Sequence, residues 1–296
     1  MPSRRQRFTV DSFPKRLDTQ LTVPTMKSRI TQGATKHLFT EKVLNKYDVG
    51  YFQCEETGFI QTTEPTWLDE AYASPIASLD IGLLDRNIHF SKIVYSIIRK
   101  WFPSDGKYVD FGGGYGVFTR LMRNRGIQFF RQDPLCKNLF ADHFDWAEHS
   151  NRDSKADMVT AFEVCEHIVE PHQLFETLFS ISDSIFFSTS LIPKPTPKSI
   201  ADWWYFLPET GQHVSFYSLD SLRYLAKRFN ASLSSNGTSL HFITRRSGLP
   251  NILGSKIRNR IRLSTSELMY SVRSQLGWQK SLVLDDFQFI KDGLRS

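Results

Sequence analysis

Cysteine is scarce in this chain. Its three copies, Cys54, Cys136 and Cys165, show no paired spacing, which excludes a disulfide framework and points to a reducing compartment. Long apolar runs are missing too, and no stretch approaches the roughly 20 residues a helix needs to cross a bilayer. The first residues, MPSRRQRFTV, are basic but lead into no apolar segment of signal-peptide length, and Asp11 and Asp18 do not suit a transit peptide. A cytoplasmic protein is the expectation. Acids are nearly absent from one late segment. Between His241 and Arg273 stand Arg245, Arg246, Lys256, Arg258, Arg260, Arg262 and Arg273 against Glu267 alone. That surplus equals the whole net charge of +6. The rest of the chain is therefore neutral, and no DNA partner is expected.

What the chain has in quantity is aromatic residues, 24 Phe, 10 Tyr and 6 Trp in 296 residues, and alternating strand and helix patterns. Residues 1–40 are polar and mixed and read as loosely ordered. YDVGYFQCEETGFIQT (47–62) reads as a short strand pair. Within 79–102, Ile88, Ile93, Val94, Ile97, Ile98 and Trp101 recur at helical spacing. Then KYVDF, IQFFRQD, ADMVTAF and SIFFSTSLI read as strands, VFTRLMRNRG and LDSLRYLAKRF as helices, and 231–246 as a hairpin turning at Asn236-Gly237. The expectation is an α/β fold: a doubly wound, Rossmann-like, mostly parallel sheet with an antiparallel closing strand, plus N-terminal and C-terminal extensions. The divisions are 1–100 for the N-terminal extension, 101–246 for the ligand-binding domain and 247–296 for a basic helical tail.

Residues 109–116 read VDFGGGYG. A strand that ends in glycines and opens a helix brings backbone N–H groups close to a ligand. A dinucleotide loop wants G-x-G-x-x-G, and here Val117 takes the place of the third glycine. The pattern present is Asp110, Gly112, Gly114, Gly116. Asp110 chooses the ligand. It would repel a pyrophosphate and welcome a cationic ammonium, such as the one S-adenosylmethionine carries beside its sulfonium.

VDFGGGYG resembles the glycine loop of class I S-adenosylmethionine-dependent methyltransferases, in particular methyltransferase-23-like members from bacterial glycan biosynthesis. The resemblance covers roughly residues 47–246. It implies that Asp110 lies near the methionine amine, that Asp133 holds a ribose hydroxyl, and that Asp157 is the acid opening the next strand. It also implies adenine contacts within FADHFDWAEH, at Phe144 and Asp145. Arg86 either reaches the methionine carboxylate or makes a salt bridge at a helix start. Some relatives carry paired cysteines for zinc in the N-terminal part. Here YFQCEETGF keeps only Cys54, with Thr57 at the second position, so no zinc ribbon is expected.

The stretch FEVCEHI (162–168) gathers Glu163, Glu166 and His167. If a helix begins at Glu163, all three share one face. Three readings stay open: a helix start favoured by its carboxylates, proton abstraction by His167, or a divalent ion (Mg, Mn or Zn) held by Glu163, Glu166, His167 and His213. The last pattern resembles that of small-RNA 2′-O-methyltransferases. The catalytic candidates are accordingly His167, His213 and Glu163. The aromatic run in DWWYFLPETGQHVSFYS supplies Trp203, Trp204, Tyr205 and, further on, Tyr217 as an acceptor-pocket wall, or as core. KIRNRIRL (256–263) is either a solvated helix face or a contact for an anionic membrane surface. The expected activity is methyl transfer from S-adenosylmethionine to a small-molecule or glycan acceptor, with a sugar hydroxyl favoured. The alternatives are a metal-dependent RNA 2′-O-methyltransferase, a nicotinamide-dependent oxidoreductase and a non-catalytic nucleotide-binding subunit.

Overall fold

The computed structural model describes residues 26–73, 79–151, 154–253, 268–273 and 281–293. In the central strands, neighbouring apolar residues point to opposite faces, so each strand feeds two cores. Tyr108, Met158, Phe186 and Phe242 face one core, and their neighbours Val109, Val159, Ile185 and Ile243 face the other. A sheet buried on both faces needs a helical layer on each side. On the first side lie α2 (Leu83–Trp101) and α3 (Val117–Asn124), which contribute Ile93, Val94, Ile97, Ile98, Phe118 and Met122. On the second lie α5 (Pro171–Ile181) and α6 (Leu219–Arg228), which contribute Leu174, Phe175, Leu178, Leu222 and Leu225.

The sheet has six strands in the order β5-β4-β6-β7-β10-β9. They are β4 (Lys107–Phe111), β5 (Gln128–Gln132), β6 (Met158–Ala161), β7 (Ser184–Ser188), β9 (Ser232–Ser235) and β10 (Leu240–Thr244). β4 pairs in parallel with β5 and β6, and β6 with β7. β10 runs antiparallel to both β7 and β9, one place in from the edge. The expected doubly wound sheet with an antiparallel closing strand is therefore present. Ile88, counted into the apolar face of α2, is instead 44% exposed.

A second, antiparallel sheet has the order β1-β2-β3-β8. β1 (Thr35–Val43) corrects the expectation of loose order up to residue 40. It pairs along its length with β2 (Tyr47–Cys54), and its polar outer side chains, Lys36 and Lys42 among them, are those of a guarded sheet edge. β3 (Ile60–Thr62) pairs with β8 (Ser215–Phe216), which comes from the far side of the chain. Trp203, Tyr205 and Phe206 fill the core under this sheet with Tyr51, Ile60 and Phe216, whereas Trp204 is 70% exposed. Near the sheet's end, the side chains of Ser28, Thr31 and Thr57 converge on the Cys54 thiol and stabilise its anion against the opposing effect of burial.

Two short helices follow in the tail, α7 at 268–273 and α8 (Val283–Gly293). Asp286 of α8 is buried against α3, bonded by Arg123 Nε at 2.9 Å and Nη2 at 2.5 Å and by Arg120 at 2.5 Å. The basic stretch 256–263 lies outside the described residues. No helix among those described is long and apolar enough to cross a membrane.

Candidate active site

The loop after β4 is shaped by its glycines. Gly112, Gly114 and Gly116 all have positive φ (68°, 54° and 88°), a region open to glycine at little cost. A Cβ on Gly112 would stand 2.6 Å from Val164, but one on Gly114 would meet no atom within 4 Å. Gly114 thus borders open space at the carboxyl edge of the sheet, beside the start of α3. Asp110, on β4, is buried beneath the loop. Its Oδ1 accepts from Thr160 Oγ1 at 2.9 Å, and its Oδ2 has no partner among the described residues. Burial raises its pKa to about 7, opposed by the Thr160 hydrogen bond and assisted by Asp133. A buried carboxylate oxygen left unpaired calls for a donor. A cationic amine at this edge would satisfy it, so the residues fit S-adenosylmethionine.

Asp133 caps the next turn. Oδ1 accepts from the amides of Leu135 (2.8 Å) and Cys136 (2.9 Å), and Oδ2 from Gly114 N (2.8 Å). Asp145 opens the short helix α4 (Trp146–His149) and receives Arg131 Nη1 at 2.7 Å. Phe144 is buried, with the Arg123 guanidinium 3.6 Å from its ring centroid. Asp157 lies at the other end of the sheet, where it accepts from Lys107 N at 3.1 Å.

The FEVCEHI stretch does not start a helix at Glu163. Glu163 is left-handed (φ 53°), Cys165–His167 form a single 3-10 turn, and α5 begins only at Pro171. Ser188 causes the break by bonding both the amide and the carboxylate of Glu163, at 2.8 and 2.6 Å. Glu163 consequently faces Arg86, whose Nε is 3.8 Å away and whose Nη2 binds Asp80 at 2.5 Å.

Glu166, His167 and His213 do meet. Their ligand atoms lie within 4.8 Å of one another, without Glu163. The contact depends on the second sheet. Val214 N donates to Glu166 O (2.8 Å) and Thr62 N to Val214 O (3.2 Å), which fixes His213 at the entry to β8 opposite the turn. His213 Nδ1 stands 2.7 Å from the Tyr205 carbonyl. A carbonyl only accepts, so Nδ1 carries the hydrogen and Nε2 the lone pair. Burial lowers the pKa of His213 to about 4, and that of His167 well below its ordinary value, with His213 adding to the effect. Glu166 is fully buried, and its pKa is raised by burial and then by Glu163. The hydroxyls of Tyr205 and Thr189 approach it and favour its charged form. Yet neither oxygen accepts a well-formed hydrogen bond among the described residues.

Tyr205 and Tyr217 are buried, the latter donating to Cys165 O at 3.2 Å, and Trp203 packs beside Tyr205. Of the four aromatics expected at the acceptor, Trp204 alone is exposed. Sequence reasoning missed Tyr72, whose hydroxyl lies 2.9 Å from His167 Nδ1, as well as Ser188 and Arg131. Nothing in the local sequence of Tyr72 or Ser188 signals these contacts. An arginine inside the apolar strand IQFFRQD was the one visible cue.

A family model described as a methyltransferase domain matches residues 84–236, just over half of the chain. No curated protein matches it. Among solved structures, TnmH is similar at 16% identity over 62% of this chain and 62% of that one, with a TM-score of 0.43. CalO1, a methyltransferase in calicheamicin biosynthesis, is similar at 13% identity over 60% of each chain, with a TM-score of 0.39. The magnesium protoporphyrin IX methyltransferase of Synechocystis PCC 6803 is similar at 13% over 61% of this chain and 95% of that one, with a TM-score of 0.40. This chain therefore spans about three fifths of the length of the first two. The family match takes in the glycine loop, Asp133, Asp145 and the Glu166–His167–His213 trio and removes the nicotinamide-dependent alternative: the chain belongs to the S-adenosylmethionine-dependent methyltransferases.

Proposed function

We propose that this methyltransferase alkylates a hydroxyl, foremost a sugar hydroxyl of a small-molecule or glycan acceptor, and that Glu166, His167 and His213 hold a divalent ion beside it. The observation carrying this reading is the trio: a buried carboxylate whose oxygens accept no well-formed hydrogen bond among the described residues, facing two imidazoles held neutral by burial. Left empty, such a group keeps a costly orphan carboxylate or a bound proton. A divalent cation would satisfy it, and one carboxylate with two imidazoles suits Mg²⁺, Mn²⁺ or Zn²⁺. An ion there would supply Lewis acidity to a hydroxyl that is otherwise a poor nucleophile.

Bound S-adenosylmethionine supplies a methyl group on a sulfonium and departs as a neutral thioether, so the chain need not protonate a leaving group. Its residues bind, orient and exclude water, and alignment alone can be worth about 7–11 kcal/mol. Asp110 Oδ2 is assigned to the amino-acid end of the cofactor, Gly114 to its close backbone approach, and Asp133 and Asp145 to its adenosine. Alkylation releases one proton from the hydroxyl. Glu163, half-exposed and steadied by Ser188 and Arg86, is the carboxylate we assign to accept it. Exposed Trp204 offers a flat face for a sugar ring.

The test is transfer of labelled methyl to a panel of nucleotide sugars and glycans, before and after chelation, with Mg²⁺, Mn²⁺ or Zn²⁺ added back. Incorporation at a sugar hydroxyl, lost on chelation and restored by one ion, is the expected result. Full activity in the chelated enzyme, with Glu166→Gln and His213→Ala matching wild type, would remove the ion. Methyl transfer only to non-sugar acceptors would remove the sugar.

A further inference from the structure

Arg131 is out of place by the logic of a buried strand. It sits in β5 with its side chain 3% exposed, where a guanidinium is tolerated only if its N–H groups are all partnered. Here they are shared among three segments. Nε donates to the carbonyl of Gly114 at 2.6 Å, Nη1 to Asp145 Oδ1 at 2.7 Å, and Nη2 to the carbonyls of Asp133, at 3.2 Å, and of Cys136. These segments are the glycine loop, the Asp133 turn and the start of α4. Each is assigned above to a different part of the same ligand: its amino-acid end, its ribose and its adenine.

The contacts are also asymmetric. Asp145 gives one oxygen to Arg131, and its Oδ2 has no hydrogen-bond partner among the described residues, in a side chain 30% exposed. Its Oδ2 can accept from an exocyclic amine. Gly114 is held from both sides, its carbonyl by Arg131 and its amide by Asp133 Oδ2, which fixes the loop's open edge relative to both acids. The planar guanidinium makes these bonds at fixed angles, a task lysine's point charge cannot reproduce.

We propose that Arg131 is a positioning residue of the cofactor site: its guanidinium sets the glycine loop, the Asp133 turn and Asp145 in one register, and it presents Asp145 so that an adenine amine is preferred over an oxo group. The inference rests on the S-adenosylmethionine reading of the site. A mere brace for the fold would support stability without choosing between bases.

Calorimetric Kd values for S-adenosylhomocysteine and for its deaminated, hypoxanthine-bearing analogue separate these roles, measured on the full chain with melting temperatures alongside. Wild type should prefer the adenine compound at least tenfold. Arg131→Lys should weaken adenine binding about tenfold or more and bring the ratio close to one. Asp145→Asn, a smaller change at a partly exposed position, should also bring the ratio close to one, and it decides the matter if Arg131→Lys does not fold. A ratio unchanged in folded Arg131→Lys, or in Asp145→Asn where only that variant folds, overturns the proposal, as does a wild type that binds both compounds equally. Wild type binding neither compound would instead overturn the cofactor reading beneath it.

Discussion

With Asp110 assigned, as proposed, to the cofactor's ammonium, cofactor binding should depend on pH near neutrality. In the ligand-free protein its pKa is raised to about 7, chiefly by burial. The groups facing it are Thr160 and Thr119, which favour the charged form, Asp133, which opposes it, and Arg131, which favours it. A ligand ammonium at the unpartnered Oδ2 favours the charged form further, so the carboxylate binds and the acid does not. Affinity must therefore rise with pH and fall as pH drops through 7. Below that value each pH unit costs a factor of ten, about 1.4 kcal/mol. From pH 8 to pH 6 the Kd of S-adenosylhomocysteine should weaken about tenfold, and near pH 7 binding should release about half a proton. Titration calorimetry in two buffers of different ionisation enthalpy reads both quantities. In Asp110→Asn affinity should be low and flat across the range. The ligand-free chain shows the reverse sign: a carboxyl with a raised folded pKa contributes stability fully below pH 3.8 and loses it as pH rises through about 7. A flat wild-type affinity with no proton release, or the same slope kept by Asp110→Asn, would refute the reasoning.

Two further changes follow from contacts in the fold. Gly114→Val places a branched side chain in the open space beside the loop at φ 54°, so it should cost cofactor affinity at least a hundredfold, while far-UV circular dichroism stays native; near-normal binding would detach Gly114 from the site. Asp286→Ala removes the shared partner of Arg123 and Arg120 and strands a buried guanidinium, which typically costs about 3–5 kcal/mol; urea unfolding should register a loss of that order, and a change below 1 kcal/mol would mean that α8 does not secure the tail.

The doubly wound sheet was legible because local pattern and tertiary demand agree. The paired apolar positions Tyr108–Val109, Met158–Val159 and Phe186–Phe187 each need a core on both sides, and the glycines after Phe111 mark the turn. β1 was not legible. TKHLFTEKV alternates weakly and carries lysines, because an edge strand hides few side chains. The helix expected from Glu163 was defeated by Ser188, 25 residues away, which captures the Glu163 backbone and side chain and leaves a left-handed residue where the pattern suggested a helical one. The four aromatics from Trp203 could not be sorted without the second sheet, which buries three and leaves Trp204 outside. That Glu166 and His167 lie together follows from their spacing, but their meeting with His213 depends on a strand pairing 156 residues apart in the chain, between Ile60 and Phe216.

That pairing bears on which part of the chain makes the active site. The loop carrying His213 is stitched to the N-terminal segment at several points. Trp67 Nε1 donates to Gly211 O at 2.8 Å, Gln212 Nε2 to Ala71 O at 2.9 Å, Leu44 N to Pro208 O at 2.9 Å and Thr62 N to Val214 O at 3.2 Å. Tyr72, from the same N-terminal segment, reaches His167 directly. The central sheet alone offers Asp110, the glycine loop and Asp133, the residues assigned above to the cofactor. It does not place His213 against Glu166 or give His167 its hydroxyl partner. The second sheet is accordingly part of the proposed acceptor chemistry rather than an appendage to it, which is why residues before the glycine loop govern the geometry of side chains that lie after it.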